Sequence, residues 1–234
     1  MADVSSRATP LAAARREIVR VCRKLYERGL IAGQDGNVSV RVGPDRILVT
    51  PAGLSKADVK EGDLVEVALD GTRRRGQRSA SSELAVHLVI YRARPDVGAV
   101  VHAHPPTATG FAVAGEPLPA NALPELVYGV GPVALVPYET PGTEALARRF
   151  TPYLEGHDAW LMANHGAVTA GPTLLVAHQR MESVEHAARI ILAARLVGQV
   201  QALPESSVRA LDAARREHRI GGRAQSRRPL KPDG

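Results

Sequence analysis

Residues 98–104 read GAVVHAH, a run of small and β-branched apolar residues followed by two histidines that one alanine separates. The apolar run predicts a buried β-strand. Side chains alternate between the two faces of a strand, so His102 and His104 point to the same side at its end. Two neutral imidazoles that converge in this way can grip a borderline metal ion. A lone His-x-His pair is more often an ordinary surface or packing pair, so the pattern needs further ligands.

A third histidine and a glutamate are candidates for those ligands. Asn164-His165-Gly166 follows another predicted strand, and the small glycine is typical of a place where a ligand approaches closely. Three histidines leave an open position on a tetrahedral zinc ion, which is the mark of a catalytic site. Glu83 lies in the first turn of a predicted helix and is a candidate general base or fourth ligand. Its structural alternative is a simple interaction with the helix dipole.

Three further segments suit an anion. Ser81 and Ser82 stand at the predicted N-terminus of the same helix, where free N–H groups, hydroxyls and the helix dipole favour negative charge. Gly36-Asn37 and Thr50-Pro51-Ala52-Gly53 are tight turns that can expose more N–H groups. Each glycine turn alone is more often a purely structural turn.

The composition is that of a globular protein. The chain has 234 residues, of which 44% are hydrophobic and 23% charged, which excludes wholesale disorder. Its single cysteine, Cys22, excludes an intrachain disulfide and a multi-cysteine metal site. No apolar run approaches the roughly 20 residues that span a bilayer, and the N-terminus lacks the apolar core of a signal peptide. We therefore expect a soluble cytoplasmic protein without a membrane partner.

The positive charge is concentrated at the C-terminus. The formal net charge is +6, and residues 209–234 contribute +5 of it, from eight Lys and Arg and three Asp and Glu. Such a run is typical of a solvated tail, with polyanion binding as the alternative. Aromatic residues make up only 3% of the chain, which argues against binding nucleic acid by base stacking. We expect disorder over residues 1–8, one domain over 9–218 and a basic tail over 219–234.

Helical and strand-like patterns are mixed along the chain. Thr9 is predicted to cap a first helix, and Ser81 or Ser82 a later one. Residues 38–42 alternate between apolar and polar and predict a half-buried strand. Hairpins and helices mix without strict alternation, which predicts an α/β fold with a mixed or antiparallel sheet flanked by helices.

Five motifs together carry a resemblance to a known family. In chain order they are Gly36-Asn37-Val38-Ser39-Val40-Arg41, Thr50-Pro51-Ala52-Gly53, Ser81-Ser82-Glu83, Val101-His102-Ala103-His104 and Asn164-His165-Gly166. Their order and spacing resemble the class II aldolase/adducin family from about residue 11 to 200. The resemblance implies an α/β/α sandwich around a central, mostly antiparallel β-sheet. It also implies a homotetramer with four-fold symmetry and sites between neighbouring subunits.

The resemblance also implies a role for each matching residue. His102, His104 and His165 would hold Zn²⁺, one ion per subunit, with other divalent metals able to occupy the site. Glu83 would be the catalytic acid/base and would also ligate zinc when no substrate is bound. The implied phosphate contacts are Gly36, Asn37, Ala52, Gly53, Ser81 and Ser82.

The implied reaction is a reversible, zinc-dependent cleavage of a ketose 1-phosphate of the L-fuculose-1-phosphate type. Its products are dihydroxyacetone phosphate and a short aldehyde, formed through a metal-stabilised enediolate. The sequence departs from the family where Gln34 and Ala52 replace threonines of the phosphate loops. A family tyrosine that serves as the proton donor on the aldehyde side falls at Leu123, and no tyrosine follows Tyr153. Tyr128 and the C-terminal tail stay open as substitutes.

Other functions also stay open. A sugar-phosphate 4-epimerase, a dehydratase or a decarboxylase of a phosphorylated keto acid would use the same metal with different groups on the aldehyde side. A non-catalytic interaction module would have no reason to keep Glu83 with three histidines. Nucleic-acid binding through the basic tail is not expected as the main function.

Overall fold

The computed structural model describes residues 9–221, and their side chains as far as residue 217. The N-terminus expected to be disordered, residues 1–8, lies outside the described residues, as does the basic tail from residue 222 onward. The last described helix continues to Gly221, beyond the predicted end of the domain at residue 218. No helix in the described part of the chain is both long enough and apolar enough to cross a membrane.

Eight strands of the described chain form one sheet. They are β1 (Asn37–Arg41), β2 (Arg46–Val49), β3 (Val65–Ala68), β4 (Arg73–Arg75), β5 (Ala99–Ala103), β6 (Val133–Val136), β7 (Ala159–Met162) and β8 (Gly166–Gly171). Their order is β4-β3-β2-β1-β5-β8-β7-β6. Only β6 and β7 pair in parallel, so the prediction of a mostly antiparallel sheet is confirmed.

Helices cover both faces of this sheet. They are α1 (Leu11–Glu27), α2 (Leu84–Ala93), α3 (Pro106–Val113), α4 (Pro124–Gly129), α5 (Glu144–Phe150), α6 (Leu174–Val197) and α7 (Glu205–Gly221), with 3₁₀ turns at Glu61–Asp63 and Thr151–Tyr153. Val101 of β5 packs in one apolar cluster with residues of α1, α3 and α6. Its neighbour Val100 packs in a second cluster with residues of α2 and α5. Adjacent strand residues point to opposite faces, so the sheet is the middle layer of an α/β/α sandwich.

The central strands are buried on both faces. Every residue of β1 and β5 is buried, so the prediction that residues 38–42 form a half-buried strand is wrong. The polar residues of β1 are covered because α2 lies over them, where Ser39 hydrogen-bonds His87 and Tyr91. Helix α1 covers the opposite face, where Val38 joins its apolar cluster.

Both predicted helix caps differ from the structure. Helix α1 is preceded by Pro10 and has no side-chain cap, while the Thr9 N–H donates to the carbonyl of Arg41. Helix α2 begins only at Leu84, after the Ser81 hydroxyl has accepted the Glu83 N–H at 3.3 Å. The Ser81 N–H is already paired with the Thr50 carbonyl at 3.2 Å. This pairing keeps the chain extended through Ser81, so the helix starts one or two residues later than predicted.

Two elements have no counterpart in the sequence patterns. Strand β8 consists of six buried residues, GAVTAG, with no alternation to reveal it. Helix α4 has only six residues and begins with Pro124. Both matter for the site, because β8 supports one of the histidines and α4 follows the Leu123 position.

Candidate metal centre and active site

The three candidate histidines come together at the C-terminal end of β5. His102 Nε2 lies 3.1 Å from His104 Nε2 and 3.2 Å from His165 Nε2. One ligand atom from each of the three lies within 4.8 Å of the others, and this is the one such cluster that the described residues form. Strands β5 and β8 create it, because His102 pairs with Val168 and Ala103 with Ala167 in the antiparallel register.

The turn between β7 and β8 presents the third histidine. Asn164 has a φ of 58°, and among the described residues it is the one non-glycine residue with a positive φ. His165 follows it, and its N–H closes the turn on the Met162 carbonyl at 3.0 Å. A Cβ on Gly166 would lie 2.6 Å from both the Ala103 carbonyl oxygen and His104 Cδ2, so only glycine lets the turn approach β5.

Hydrogen bonds to the outer ring nitrogens orient the imidazoles. His102 Nδ1 donates to the Ala167 carbonyl at 2.9 Å, which leaves the Nε2 lone pair facing its neighbours. His104 Nδ1 lies 3.4 Å from the Asp35 carboxylate. Backbone carbonyls and carboxylates fix metal-binding histidines in this manner. Burial lowers the pKa of His104 to about 4, and the charges of His102 and His165 act in the same direction.

Glu83 completes the cluster from the start of α2. Its Oε1 lies 2.7 Å from His165 Nε2, and its Oε2 lies 3.0 Å from His102 Nε2. Burial alone would raise the pKa of Glu83. The charge of His102 and hydrogen bonds to His102 and His165 outweigh burial and hold the pKa well below its ordinary value.

This donor set fits a divalent metal ion. Three imidazole nitrogens with inward lone pairs repel one another unless a cation or protons lie between them. Buried Glu83 Oε1 has no hydrogen-bond donor apart from the nearby His165 nitrogen. Nitrogen and oxygen donors that are buried and otherwise poorly partnered are what a transition-metal ion satisfies.

A buried hydrogen-bonded chain fixes Glu83. Asn37 Nδ2 donates to Glu83 Oε2 at 2.9 Å, while its Oδ1 lies 2.5 Å from His87 Nε2. His87 Nδ1 contacts the Ser39 hydroxyl at 2.6 Å, which in turn lies 2.9 Å from the Tyr91 hydroxyl. Burial, followed by the charge of His102, lowers the pKa of His87 to about 3, so its ring is neutral.

Sequence reasoning missed the contacts that Ser39 and Tyr91 make with His87. Two spacings carry the signal. Ser39 is two residues after Asn37 on one strand, and Tyr91 is four residues after His87 on one helix, so each pair shares a face. The same reasoning expected Asn37 to bind an anion, whereas its side chain is engaged by Glu83 and His87.

The predicted anion-binding turns lie beside this chain of contacts. Gly36 and Gly53 have φ of 71° and 68°, and Ser82 is exposed. The Ala52 N–H donates to the Ser79 carbonyl at 3.0 Å, so Ala52 has no free backbone donor for an anion. The Ser81 N–H is likewise taken, which leaves this residue its hydroxyl.

The aldehyde-side position has no hydroxyl group. Leu123 packs partly buried against the apolar core and directly precedes α4. Tyr128 on the same helix is 41% exposed. The tail substitute lies outside the described residues.

The fold and the site are of the class II aldolase type, with three histidines that could hold a metal ion. The family model for the class II aldolase and adducin N-terminal domain matches residues 16–192, and the chain belongs to this family. A solved L-fuculose 1-phosphate aldolase superposes with a TM-score of 0.82 and 33% identity, covering 89% of this chain and 98% of that one. The family resemblance that rested on the five sequence motifs is thereby confirmed.

Two curated relatives represent two reactions. A 5-methylthioribulose-1-phosphate/5-deoxyribulose-1-phosphate aldolase of Rhodospirillum rubrum is 39% identical, covering 75% of this chain and 79% of the relative. A 3-oxo-tetronate 4-phosphate decarboxylase of Haemophilus influenzae is 32% identical, covering 83% of this chain and 94% of the relative. The chain is therefore an enzyme of the class II aldolase kind.

Proposed function

We propose that this chain is a zinc-dependent aldolase that reversibly cleaves a ketose 1-phosphate to dihydroxyacetone phosphate and a short aldehyde. The observation that carries the proposal is the convergence of three histidine Nε2 atoms with the Glu83 carboxylate, whose Oε1 is 2.7 Å from His165. A scaffold protein has no use for a carboxylate held against the nitrogens of His102 and His165, beside a third histidine. We therefore favour catalysis over an interaction module.

The metal in this proposal is zinc, held by His102, His104 and His165. When bound, it would act as a Lewis acid for the negative charge that develops on the substrate oxygens. His102 contributes a ring already fixed by Ala167, so its nitrogen needs no reorientation for binding. Glu83 would be the fourth ligand while no substrate is present.

Glu83 is the proton-transfer group. When the carbon–carbon bond breaks, the electron pair stays on the carbon that becomes part of dihydroxyacetone phosphate. The hydroxyl that becomes the aldehyde loses one proton and the new carbanion gains one. Glu83 delivers the proton to that carbon, and in the synthetic direction it removes the same proton. Asn37 holds Oε2 at 2.9 Å, which keeps the carboxylate aimed during this exchange.

The phosphate binds at the glycine turns. Gly36, Gly53 and the hydroxyls of Ser81 and Ser82 are the proposed contacts. The turn containing Ala52 is paired to the Ser81 segment, so these elements form one surface next to Glu83. Phosphate binding there orients the substrate without taking part in bond breaking.

The favoured substrate is a short ketose 1-phosphate of the 5-deoxyribulose type. The 39% identical relative from R. rubrum carries such a substrate in its name. Decarboxylation of a phosphorylated keto acid is the second candidate. Leu123 favours it, because a packed leucine cannot take up the proton that a hydroxyl loses as it becomes an aldehyde, and decarboxylation releases no aldehyde.

Self-association and a cytoplasmic location are also part of the proposal. Leu196 and Val197 at the end of α6 are 79% and 90% exposed, and exposed apolar side chains of this kind are typical of subunit contacts. We propose a homotetramer with sites between subunits, tested by light scattering on the purified protein. Cys22 is a free, buried thiol, which is in keeping with a reducing compartment.

A coupled assay for dihydroxyacetone phosphate on metal-quantified enzyme tests the reaction. The substrates are fuculose, rhamnulose, ribulose and 5-deoxyribulose 1-phosphates, with carbon dioxide release from 3-oxo-tetronate 4-phosphate measured in parallel. Dihydroxyacetone phosphate together with about one zinc per chain supports the aldolase. Bound zinc together with carbon dioxide release, but no dihydroxyacetone phosphate, supports the decarboxylase instead. Metal without any product from the panel contradicts both.

A further inference from the structure

Lys56 is a buried cation that joins two turns of the proposed phosphate site. Only 2% of the surface of Lys56 is exposed to solvent. Its Nζ donates to the Gln34 carbonyl at 2.7 Å and to the Leu54 carbonyl at 2.9 Å. Gln34 precedes Gly36 by two residues, and Leu54 directly follows Gly53. One ammonium group therefore ties together both glycine turns.

No carboxylate forms an ion pair with this ammonium within the part of the chain whose side chains are described. Its described acceptors are the two carbonyl oxygens, which leaves the third N–H of the ammonium without an acceptor. The buried Arg180, in contrast, pairs with Asp158 at 3.0 Å. A buried charge without a counter-ion is costly, so such groups are generally paired or bind a ligand of opposite charge.

The surroundings of Lys56 explain why a positive charge is needed there. Asp35 lies on the first turn and Glu83 follows the serine segment, so two carboxylates stand near the place proposed for a phosphate. Burial lowers the pKa of Lys56, while interactions with Cys22 and then with the carboxylates of Asp35 and Glu83 act to raise it. Without Lys56, the charged side chains around the turns would repel an anion.

We infer that Lys56 is the cationic positioning residue of the phosphate subsite, and that the phosphate dianion of the substrate neutralises its buried charge. The inference rests on the proposed function, because it assumes that the substrate carries a phosphate. Lys56 takes over from the threonine hydroxyls that the family has at the positions of Gln34 and Ala52. It acts on binding through its charge and through the two turns that it joins.

Binding of inorganic phosphate to the metal-loaded protein tests this inference by titration calorimetry. Lys56→Met removes the charge, and Lys56→Gln removes it while keeping an amide donor for the two carbonyls. Lys60→Met is the control, since Lys60 is exposed on the same segment. We expect both Lys56 variants to bind phosphate roughly 10- to 100-fold more weakly, with the control unchanged.

A role limited to joining the turns predicts another pattern. In that case Lys56→Gln binds phosphate as the wild type does, which overturns the inference. Thermal unfolding without phosphate shows that each variant is folded, and if Lys56→Met fails to fold, Lys56→Gln alone decides. Absence of saturable phosphate binding by the wild type also overturns the inference.

The metal-free His104→Ala variant separates the turns from the metal as the place of binding. Phosphate affinity that is lost in His104→Ala places the anion on the metal and contradicts the role of Lys56. Affinity that persists in His104→Ala and falls in Lys56→Gln supports it. Failure of the aldolase proposal looks different, because the phosphate result then stands while no ketose 1-phosphate is cleaved.

Discussion

The Asn37 side-chain amide donates to Glu83 Oε2 at 2.9 Å and links the first residue of β1 to the residue that precedes α2. His87 holds the other end of the amide through Oδ1, so Asn37 cannot rotate without breaking a buried contact. The carboxylate is therefore aimed by the sheet and the helix together. Its position is set before any substrate binds.

Replacing Asn37 by alanine should loosen Glu83 without removing it. We expect kcat to fall roughly 10- to 100-fold, as for other residues that orient a catalytic or metal-binding group. The metal content should stay close to that of the wild type, because all three histidines remain. Steady-state kinetics with metal analysis checks this, and an unchanged kcat would show that Glu83 needs no such support.

Glu83→Gln keeps the shape of the side chain but removes the proton-transfer group. We expect kcat to fall roughly 10²- to 10⁴-fold, with the fold unchanged by circular dichroism. The measurement is single-turnover cleavage of the best substrate of the panel by metal-loaded enzyme. Activity within a few-fold of the wild type would exclude Glu83 as the acid/base.

His104→Ala should abolish metal binding and activity and leave the secondary structure intact. The side chain of His104 is 25% exposed and lies just beyond the end of β5, so the core loses little packing. His186→Ala is the matched control, because His186 is exposed on α6 and far along the chain from the triad. Metal retained by His104→Ala, or lost by His186→Ala, would contradict the assigned site.

Gly36 and Gly33 form a matched pair in one turn. Both have positive φ, of 71° and 51°, but a Cβ on Gly36 would lie 2.8 Å from the His102 carbonyl oxygen, whereas Gly33 has open space. Gly36→Ala should lower the free energy of unfolding by roughly 2–4 kcal/mol and Gly33→Ala by about 1 kcal/mol. Urea unfolding checks the difference, and equal effects would show that the turn yields at Gly36.

His87 should make stability depend on pH. Its pKa falls from 6.5 to about 3 on folding, chiefly because of burial. Below its ordinary pKa the unfolded chain takes up a proton that the folded chain does not, so stability is lost as the pH falls from 6.5 towards 3. The loss attributable to His87 is about 1.4 kcal/mol per pH unit within that window.

A His87→Gln variant isolates this contribution from that of the other histidines. Urea unfolding at about pH 7 and about pH 5 should show a smaller decline for His87→Gln than for the wild type. Equal declines in the two proteins would mean that His87 is protonated in the folded state.

The sequence was sufficient for the features that depend on local pattern. The His-x-His pair on a strand, the glycine after His165 and an α/β fold with a mixed or antiparallel sheet follow from short-range spacing and pattern. The mostly antiparallel arrangement was implied by the family resemblance. The hydrogen bond from Asn37 to Glu83 cannot be predicted in this way. It requires β1 and α2, which are distant in sequence, to lie side by side. Strand β8 escaped prediction because it is buried on both faces and so shows no alternation.

The antiparallel pairing of β5 with β8 also has a consequence for how the enzyme matures. His102 and His165 are 63 residues apart, so their nitrogens meet only after this long-range pairing has formed in the correct register. Contacts of such separation form late, and a register slip by one residue turns His102 to the opposite face. A metal ion at this site would therefore bind only to chains with the correct pairing, and the fraction of chains that bind metal would measure the fraction that has folded correctly.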